Sequence, residues 1–343
     1  VVSLRRALHR HPELSGEEQE TARRVTAWLD AYDLHVRTGV YGTGVVATLD
    51  GGRPGPTVLL RADMDALPIR EETGLAFASE QDGVMHACGH DLHTSSLLGT
   101  IAILAEHREA VHGQVRACFQ PHEERIPGGA PFMIDEGVLD AGEGVPAPAA
   151  AFGQHVKPDL PPGALGVRPG GFMASTDEVY VTVDGEGGHA ADPHAAIDPV
   201  YVASEIVTGL QSLVSRRCPP GVPSVLTLGR FVADGATNVI PDTARLEGTF
   251  RAMDEDWRFR AHDLFRRLVH RTAEAHGATA TVEVREGYPA LRNDESTTAL
   301  VQKAAREYVG PDRTVAADRW FAGEDFAYIL QECPGTFYQL GVG

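Results

Sequence analysis

The chain has 343 residues, with 43% hydrophobic and 23% charged, which are the proportions of an ordinary globular protein of about two domains. Its 30 Lys and Arg residues against 48 Asp and Glu residues give a net charge of −18, which disfavours nucleic acid and anionic membranes as partners. No apolar run approaches the ~20 residues of a membrane span, and the four widely spaced cysteines form no disulfide framework, so we expect a cytoplasmic protein.

The first half of the chain alternates predicted helices with predicted strands. Residues 1–35 are predicted to be helical, with a capping box at residues 15–18. The elements predicted to follow are strands over residues 45–49 and 57–62, a helix over 94–107, and strands over 115–119 and 149–153. Strands that alternate with helices predict an α/β domain with a mostly parallel central sheet.

Acidic residues or histidine follow three of these predicted strands. Asp63 comes directly after the first of them, Glu123 and Glu124 come shortly after the second, and His155 comes shortly after the third. In open α/β sheets, ligands bind outside the carboxyl ends of the strands. We therefore expect these four side chains to lie close together, although they are far apart in the sequence.

The pattern changes from about residue 177. The predicted elements there are strands over residues 178–183, 224–231, 244–251 and 279–285 and helices over 198–214 and 256–276. Their β-α-β-β-α-β order is the ferredoxin-like arrangement. We therefore expect an inserted α+β domain over residues 171–286, between two parts of a catalytic domain, 1–170 and 287–343.

One stretch of eight residues, 86–93, contains three His, one Cys and one Asp just before a predicted helix. Thiolate and imidazole are borderline-soft ligands that suit Zn and its late first-row neighbours. Cys88 and His90 flank Gly89, which allows the backbone to turn so that both side chains converge. A solvated polar turn is the alternative, but the density of soft ligands favours a metal site.

Two adjacent carboxylates, Glu123 and Glu124, follow a strand that is predicted to be buried. One can bind metal while the other serves as general base, although two exposed acids are the alternative. With His155, the candidate donors become five: Cys88, His90, Glu123, Glu124 and His155. This set is enough for one closed metal site or for two metals that share a bridging ligand.

Three further loops contain polar residues of interest. His189 lies in a Gly-rich string, 185–190, which is either a loop that presents an imidazole or a flexible turn. Residues 235–242 either offer an amide side chain or form a hairpin connection. Residues 323–325 are most simply interpreted as a helix N-terminus whose acids complement the helix dipole.

Six sequence strings, spread over nearly the whole chain, resemble the M20 metallopeptidase family in its amidohydrolase branch. That branch includes the hydrolases of hippurate, N-acetyl amino acids and auxin conjugates. The strings are LRADMDALP (residues 60–68), MHACGHDLHT (85–94), QPHEE (120–124), GGHAADPH (187–194), NVIPD (238–242) and GEDFA (323–327). The string MHACGHD is highly specific to this family.

The resemblance implies a dinuclear site in the α/β catalytic domain and an inserted lid domain through which two subunits form a homodimer. Cys88 would bridge two divalent metals, Zn or Mn, with Co or Ni as further candidates. His90, Glu124 and His155 would be further ligands, and Glu123 would be the general base. A last His ligand is expected shortly after the segment that matches residues 338–343.

Other roles also follow from the resemblance. Asp63 would orient a metal ligand without binding the metal, because the HxD motif of other branches reads RAD at residues 61–63 here. His189 of the lid would polarise the scissile carbonyl. Asn238 and Arg251 would hold the product carboxylate.

We therefore expect a metal-dependent amidohydrolase that acts on N-acyl amino acids or related small amides. A carboxypeptidase or dipeptidase on the same scaffold is the first alternative. A catalytically silent metal-binding homologue is the second, and the presence of Glu123 disfavours it. His122 and Arg125 stand where relatives usually have small residues, and they could alter the metal preference or narrow the acyl pocket.

Overall fold

The computed structural model describes residues 1–142 and 144–343, which divide into two compact units. The first comprises Val1–Phe172, Arg292–Arg319 and Glu324–Gly343, and the second comprises Met173–Leu291 and Trp320–Gly323. Two segments that the sequence analysis placed in the catalytic domain, residues 287–291 and Trp320–Gly323, thus cluster with the second unit.

The helices and strands cover most of the described chain. The helices are α1 (Val2–Arg10), α2 (Gln19–Leu29), α3 (His90–Glu106), α4 (Ala130–Asp135), α5 (Pro199–Ser212), α6 (Glu255–Ala275), α7 (Glu295–Tyr308) and α8 (Phe326–Glu332). The strands are β1 (His35–Val40), β2 (Gly44–Asp50), β3 (Arg53–Asp63), β4 (His112–Gln120), β5 (Pro148–Lys157), β6 (Leu165–Val167), β7 (Gly170–Met173), β8 (Asp177–Asp184), β9 (Gly188–His189), β10 (Ser224–Val232), β11 (Val239–Ile240), β12 (Thr243–Ala252), β13 (Thr279–Glu286), β14 (Leu291–Asn293), β15 (Thr314–Ala316) and β16 (Gly335–Gly341). None of the helices in this described part combines the length and apolar character that crossing a membrane requires.

The first unit is built on an eight-stranded sheet with the strand order β1-β2-β4-β3-β5-β16-β6-β15. Strands β4, β3, β5 and β16 pair in parallel, so the predicted mostly parallel sheet is confirmed. Helices α2 and α3 pack against the sheet through a core of fully buried side chains, among them Leu29, Leu49, Leu98, Ile101 and Phe119. Because β3, β4 and β5 run in parallel, their carboxyl ends meet at one edge of the sheet.

The N-terminal 35 residues are only partly helical, so this prediction is wrong in part. α1 ends at Arg10, α2 begins at Gln19, and β1 already starts at His35. Glu13, and not Ser15, accepts N–H groups of the first turn of α2, those of Glu20 at 3.1 Å and Thr21 at 2.7 Å. Ser15 Oγ instead donates a hydrogen bond to Asp65 Oδ2 at 2.6 Å. A partner from a distant part of the chain thus replaces the capping interaction predicted for Ser15.

Two boundaries near the predicted site also differ from expectation. β5 extends to Lys157 instead of ending at residue 153, so His155 lies within the strand. The extension arises because β16 pairs in parallel with β5 as far as Gly341, which lies opposite Lys157. α3 begins at His90 and not at residue 94, so the helix starts inside the cluster of candidate ligands.

The second unit contains a four-stranded antiparallel sheet with the strand order β10-β12-β8-β13. Along the chain, these strands and two helices follow the order β8-α5-β10-β12-α6-β13, which is the order that the sequence predicts. Helices α5 and α6 pack against the sheet through a continuous core that includes Val181, Ile206, Leu246, Phe250 and Phe265.

Asp177, the first residue of β8, is buried and accepts hydrogen bonds from three neighbours. Arg258 Nη2 donates to its Oδ1 at 2.5 Å, His262 Nε2 lies 2.7 Å from its Oδ2, and the Gly287 N–H donates to Oδ1 at 3.2 Å. Burial by itself would raise the pKa of Asp177. The hydrogen bonds from His262 and Arg258 outweigh burial and hold the pKa below its ordinary value.

We expect Asp177→Asn to destabilise the second unit by about 2 kcal/mol at neutral pH, because charge-assisted hydrogen bonds are lost. Because the pKa of Asp177 is lower in the folded than in the unfolded state, the carboxylate contributes its full stabilisation at pH values above the unfolded-state pKa of ~4. This stabilisation is lost as the pH falls below that value. The difference in stability between wild type and variant should therefore become smaller below pH ~4. Hydrogen exchange of the β8 amides would measure this difference as a gap in the free energy of opening. Asp184→Asn, at the exposed end of the same strand, is the control. A gap that does not change with pH would contradict this account.

Candidate metal centre

The carboxyl ends of β3, β4 and β5 and the start of α3 lie at one edge of the large sheet. There the ligand atoms of Cys88, His90 and His155 lie within 4.8 Å of one another, and so do those of His90, Glu123 and Glu124. The structure thus brings together the five donors that the sequence suggested. His90 belongs to both groups, so the two groups form one continuous cluster.

Gly89 forms the sharp turn between Cys88 and His90. Its φ of +93° lies in the left-handed region, and a Cβ atom at this position would come within 2.5 Å of Val156 Cγ2. Both features require glycine. The turn places Cys88 Sγ 3.2 Å from His155 Nε2.

Hydrogen bonds fix the ring orientation of both candidate His ligands. His155 Nδ1 donates to the carbonyl oxygen of Val156 at 2.7 Å, and His90 Nδ1 donates to Asp65 Oδ1 at 3.2 Å. The Nε2 atom of each ring then carries a lone pair on the side of the cluster. A His ligand whose other nitrogen is held by a carbonyl or carboxylate oxygen is typical of metal sites.

Two polar atoms of the cluster make no hydrogen bond within the described part of the chain. His90 Nε2 and Glu124 Oε1 are buried and lie 3.7 Å apart. Leaving a buried polar atom without a partner costs about 1–3 kcal/mol, and a cation between the two would satisfy both. One thiol, two imidazoles and one carboxylate fit Zn²⁺ or a late first-row neighbour, whereas a Mg²⁺ site would consist of oxygen ligands.

Burial is the main cause of the pKa shifts of four groups in the cluster. It raises the pKa of Cys88 and of Glu124 and lowers the pKa of His155 to about 3. Burial, followed by the charges of two neighbouring carboxylates, also raises the pKa of Glu123 well above its ordinary value. A carboxyl group whose pKa is shifted towards neutrality is suited to accept and return a proton.

Asp63 lies at the end of β3 beside the cluster, where it contacts His93 and Arg61. Its Oδ1 accepts a hydrogen bond from His93 Nδ1 at 2.6 Å and its Oδ2 accepts one from Arg61 Nη1 at 2.6 Å. The same Oδ1 is 3.8 Å from His90 Nδ1. His93 Nε2 accepts the N–H of Val156 at 2.9 Å, so both ring nitrogens are engaged and His93 is not a metal donor.

Asp65 directly orients two candidate ligands, and the sequence analysis did not single it out. Besides the contact with His90 Nδ1, its Oδ2 accepts the Glu124 N–H at 2.9 Å. Burial by itself would raise the pKa of Asp65, but the hydrogen bonds that it accepts, that of His90 first, outweigh burial and lower it. The signal that could have revealed Asp65 is the second acid of the DMD string at residues 63–65.

Glu324 and Asp325 precede α8, as predicted, but they are not acids that simply complement a helix dipole. Both are buried beside Arg61, whose Nη1 lies 3.1 Å from Glu324 Oε1 and whose Nη2 lies 2.6 Å from Asp325 Oδ1. Glu123 belongs to the same group, because its ligand atom lies within 4.8 Å of theirs. Burial raises the pKa of Asp325 to about 8, although the charge of Arg61 opposes the shift. This acidic group was visible in sequence only as the unconnected strings HEE and GED.

Three of the predicted site residues lie in the second unit. His189 is exposed and lies in β9, which pairs with β11, so the Gly-rich string is part of an ordered strand pair. Asn238 is exposed, and its carbonyl oxygen accepts the N–H of Ala190 at 3.0 Å. Arg251 lies in β12 and donates from Nη1 to the carbonyl oxygen of Phe321 at 2.9 Å. Their roles towards a substrate stay predictions.

Known proteins are similar in sequence to this chain over nearly its whole length. N-acetylcysteine deacetylase of Bacillus subtilis is 41% identical over 342 residues, which cover 99% of this chain and 88% of that protein. Thermostable carboxypeptidase 1 of Saccharolobus solfataricus is 37% identical over 344 residues, which cover 99% of this chain and 85% of that protein. The chain is therefore similar to both deacylating and peptide-cleaving enzymes.

A solved structure shows the same fold. A dinuclear metal-binding peptidase of the M20 family from Bacillus subtilis is 38% identical, superposes with a TM-score of 0.85, and is matched over 99% of this chain and 87% of that one. The sequence profile of peptidase family M20/M25/M40 matches residues 59–343, which include all the candidate donors. This protein belongs to peptidase family M20/M25/M40.

Proposed function

We propose that this protein hydrolyses the amide bond of N-acyl amino acids or related small amides and releases a carboxylic acid and the amine. The observation that carries the proposal is the buried Glu123 carboxyl, which lies within 4.8 Å of the ligand atoms of His90 and Glu124. A base beside metal ligands is what metal-assisted hydrolysis requires. The deacetylase relative, named for N-acetylcysteine, supports an acylated amino acid as the substrate class.

Cys88, His90, Glu124 and His155 would together hold two divalent ions. Zn and Mn are the first candidates, and Co and Ni also suit these donors. When bound, the ions would supply Lewis-acid activation of water and of the amide carbonyl. The dinuclear relative of known structure supports the number of ions.

Glu123 would carry the proton through the reaction. As a base, it takes a proton from water while the water oxygen forms a bond to the carbonyl carbon. As an acid, it then returns the proton to the amide nitrogen, whose bond to that carbon breaks so that the amine leaves. Burial, which raises the pKa of Glu123, favours the protonated form that exists between the two steps.

For the remaining residues, the proposal rests on the family resemblance. Residues 171–286 would form a lid and homodimerisation domain, between the catalytic parts 1–170 and 287–343. His189 would polarise the scissile carbonyl, while Asn238 and Arg251 would hold the product carboxylate. Asp63 would help to orient the candidate ligand His90, whose Nδ1 lies 3.8 Å from Asp63 Oδ1. A cytoplasmic location fits the four cysteines, which are all free thiols.

A carboxypeptidase or dipeptidase that uses the same residues is the second candidate function. The thermostable carboxypeptidase relative favours it, because the two chains match over nearly their whole lengths. Both reactions hydrolyse an amide bond, so the general base and the ligands would keep their roles. The group on the acyl side of the bond, a simple acid or an amino acid, distinguishes the two.

Removal of the metal is expected to abolish turnover, and Zn²⁺ or Mn²⁺ is expected to restore it. Amine release would be measured with N-acetyl-, N-benzoyl- and indoleacetyl-amino acids and with dipeptides, after chelation and dialysis. Mg²⁺ is the control, because a thiolate and two imidazoles suit it poorly. Turnover of dipeptides alone would favour the peptidase function, and equal turnover before and after chelation would contradict the metal mechanism.

A further inference from the structure

Residues 15–18, the last part of the connection between α1 and α2, lie against the loop that carries Glu123 and Glu124. We call residues 121–125 the glutamate loop. Two backbone N–H groups of this loop donate hydrogen bonds to buried carboxylates. The N–H of His122 donates to Glu18, which belongs to the connection, and the N–H of Glu124 donates to Asp65, which is hydrogen-bonded to Ser15 of the connection. The general base, Glu123, lies between these two anchored residues.

Glu18 makes the first of these contacts. Its side chain is fully buried, and its Oε1 accepts the N–H of His122 at 2.9 Å and the N–H of Gly16 at 2.9 Å. Its Oε2 accepts the hydroxyl of Thr43 at 2.7 Å. Each carboxylate oxygen therefore has a donor, and the carboxylate joins three separate segments of the chain.

The contact matters because His122 has an unfavourable backbone conformation. Its φ is +64°, in the left-handed region that residues with a Cβ atom rarely adopt. Such a conformation persists only where the surrounding structure enforces it. On the side of the connection, Gly16 lies next to this residue, because a Cβ atom at Gly16 would be 3.4 Å from His122 Nδ1, an ordinary contact distance.

The second contact runs through Asp65. Ser15 Oγ donates to Asp65 Oδ2 at 2.6 Å, and the same oxygen accepts the Glu124 N–H at 2.9 Å. Asp65 Oδ1 in turn contacts His90 Nδ1. The connection is thus linked to the backbone of one candidate ligand and to the ring of another.

We propose that residues 15–18 act as a clamp that positions the general base, with Glu18 as its main positioning residue. Glu18 holds His122 in the left-handed conformation, and this conformation sets the direction in which the next residue, Glu123, leaves the backbone. The proposal rests on the hydrolase function proposed above. Glu18 itself touches neither substrate nor metal.

The first test compares Glu18→Ala with Glu18→Gln and with Glu17→Ala, its exposed neighbour. We expect Glu18→Ala to lower kcat on the order of 100-fold, as misplacement of a reacting group by about 1 Å does, with a much smaller change in KM. Glu18→Gln keeps an acceptor oxygen for His122 and should retain most of the activity. Equal kcat values for wild type and Glu18→Ala would overturn the clamp.

The second test asks whether the loss acts through the conformation of His122. Glycine adopts positive φ without strain, so Glu18→Ala should cost much less kcat in a His122→Gly background than in the wild-type background. If Glu18→Ala lowers kcat by the same factor in both backgrounds of this double-mutant cycle, Glu18 is a general structural residue and the proposal is wrong.

Hydrogen exchange of the loop separates failure of the clamp from failure of the hydrolase function. In the metal-loaded protein, the amides of His122 and Glu124 should exchange faster in Glu18→Ala than in wild type or Glu17→Ala. Faster exchange supports the clamp even if no substrate of the panel is hydrolysed. Unchanged exchange overturns it even if the enzyme is active.

Discussion

Replacing Glu123 by Gln is expected to lower kcat by about 10²–10⁴-fold, the usual contribution of general acid–base catalysis. Gln has nearly the same shape but cannot accept and return a proton. Because Cys88, His90, Glu124 and His155 remain, the variant should still bind metal. A large loss of kcat with an unchanged metal content is therefore the expected pattern, with metal measured by elemental analysis.

The matched control for this experiment is Glu109→Gln, an exposed glutamate just before the amino end of β4, whereas Glu123 follows the carboxyl end of that strand. It should behave as wild type in both measurements. If Glu123→Gln retained nearly full turnover, the proton would have to be carried by another group. If it lost its metal instead, Glu123 would be a ligand and the assignment of base and ligand to the two glutamates would have to be revised.

Arg61→Met is expected to lower the free energy of unfolding by about 3–5 kcal/mol, the usual effect of removing one partner from a buried ion network. Arg61 is buried and contacts Asp63 at 2.6 Å, Glu324 at 3.1 Å and Asp325 at 2.6 Å, while its Nε donates to Gln120 at 2.9 Å. Without the guanidinium group, these carboxyls would be left without their cation in a site that excludes water. Urea denaturation would measure the change.

Two further variants make this prediction specific. Arg53→Met lies at the exposed start of the same strand, β3, and should change the free energy of unfolding little. Asp325→Asn added to Arg61→Met should recover part of the loss, because it removes one of the acids that the first change leaves without its guanidinium partner. Equal stability of wild type and Arg61→Met would contradict this account, because it would mean that the buried carboxyls do not need the guanidinium group.

The position of the donors at the sheet edge was predictable because parallel strands impose it. Asp63 ends β3, Glu123 follows β4 and His155 lies near the end of β5, so their proximity depends only on strand direction and order. The exact end of β5 was not predictable, because the partner that extends it, β16, comes almost two hundred residues later in the chain. Predicting its length would have required the tertiary pairing itself.

Residues 15–18 illustrate a different limit. A Ser followed three positions later by Glu fits the local pattern of a helix N-terminus, yet Ser15 and Glu18 bond to Asp65 and His122. A local pattern cannot indicate whether a distant donor or acceptor will compete for the same side chain. Similarly, Arg61 of β3 and Asp325 at the start of α8 form a close ion pair, and neither residue carries a sequence signal for the other.

Asp65 has a consequence for the interpretation of related sequences. One carboxylate holds the ring of His90 and the backbone of Glu124, so the loss of this single acid would loosen both at once. A relative could therefore keep every letter of the ligand set and still be a pseudoenzyme. Searches that classify such chains as active from their Cys, His and Glu positions alone should also inspect the residue that corresponds to Asp65.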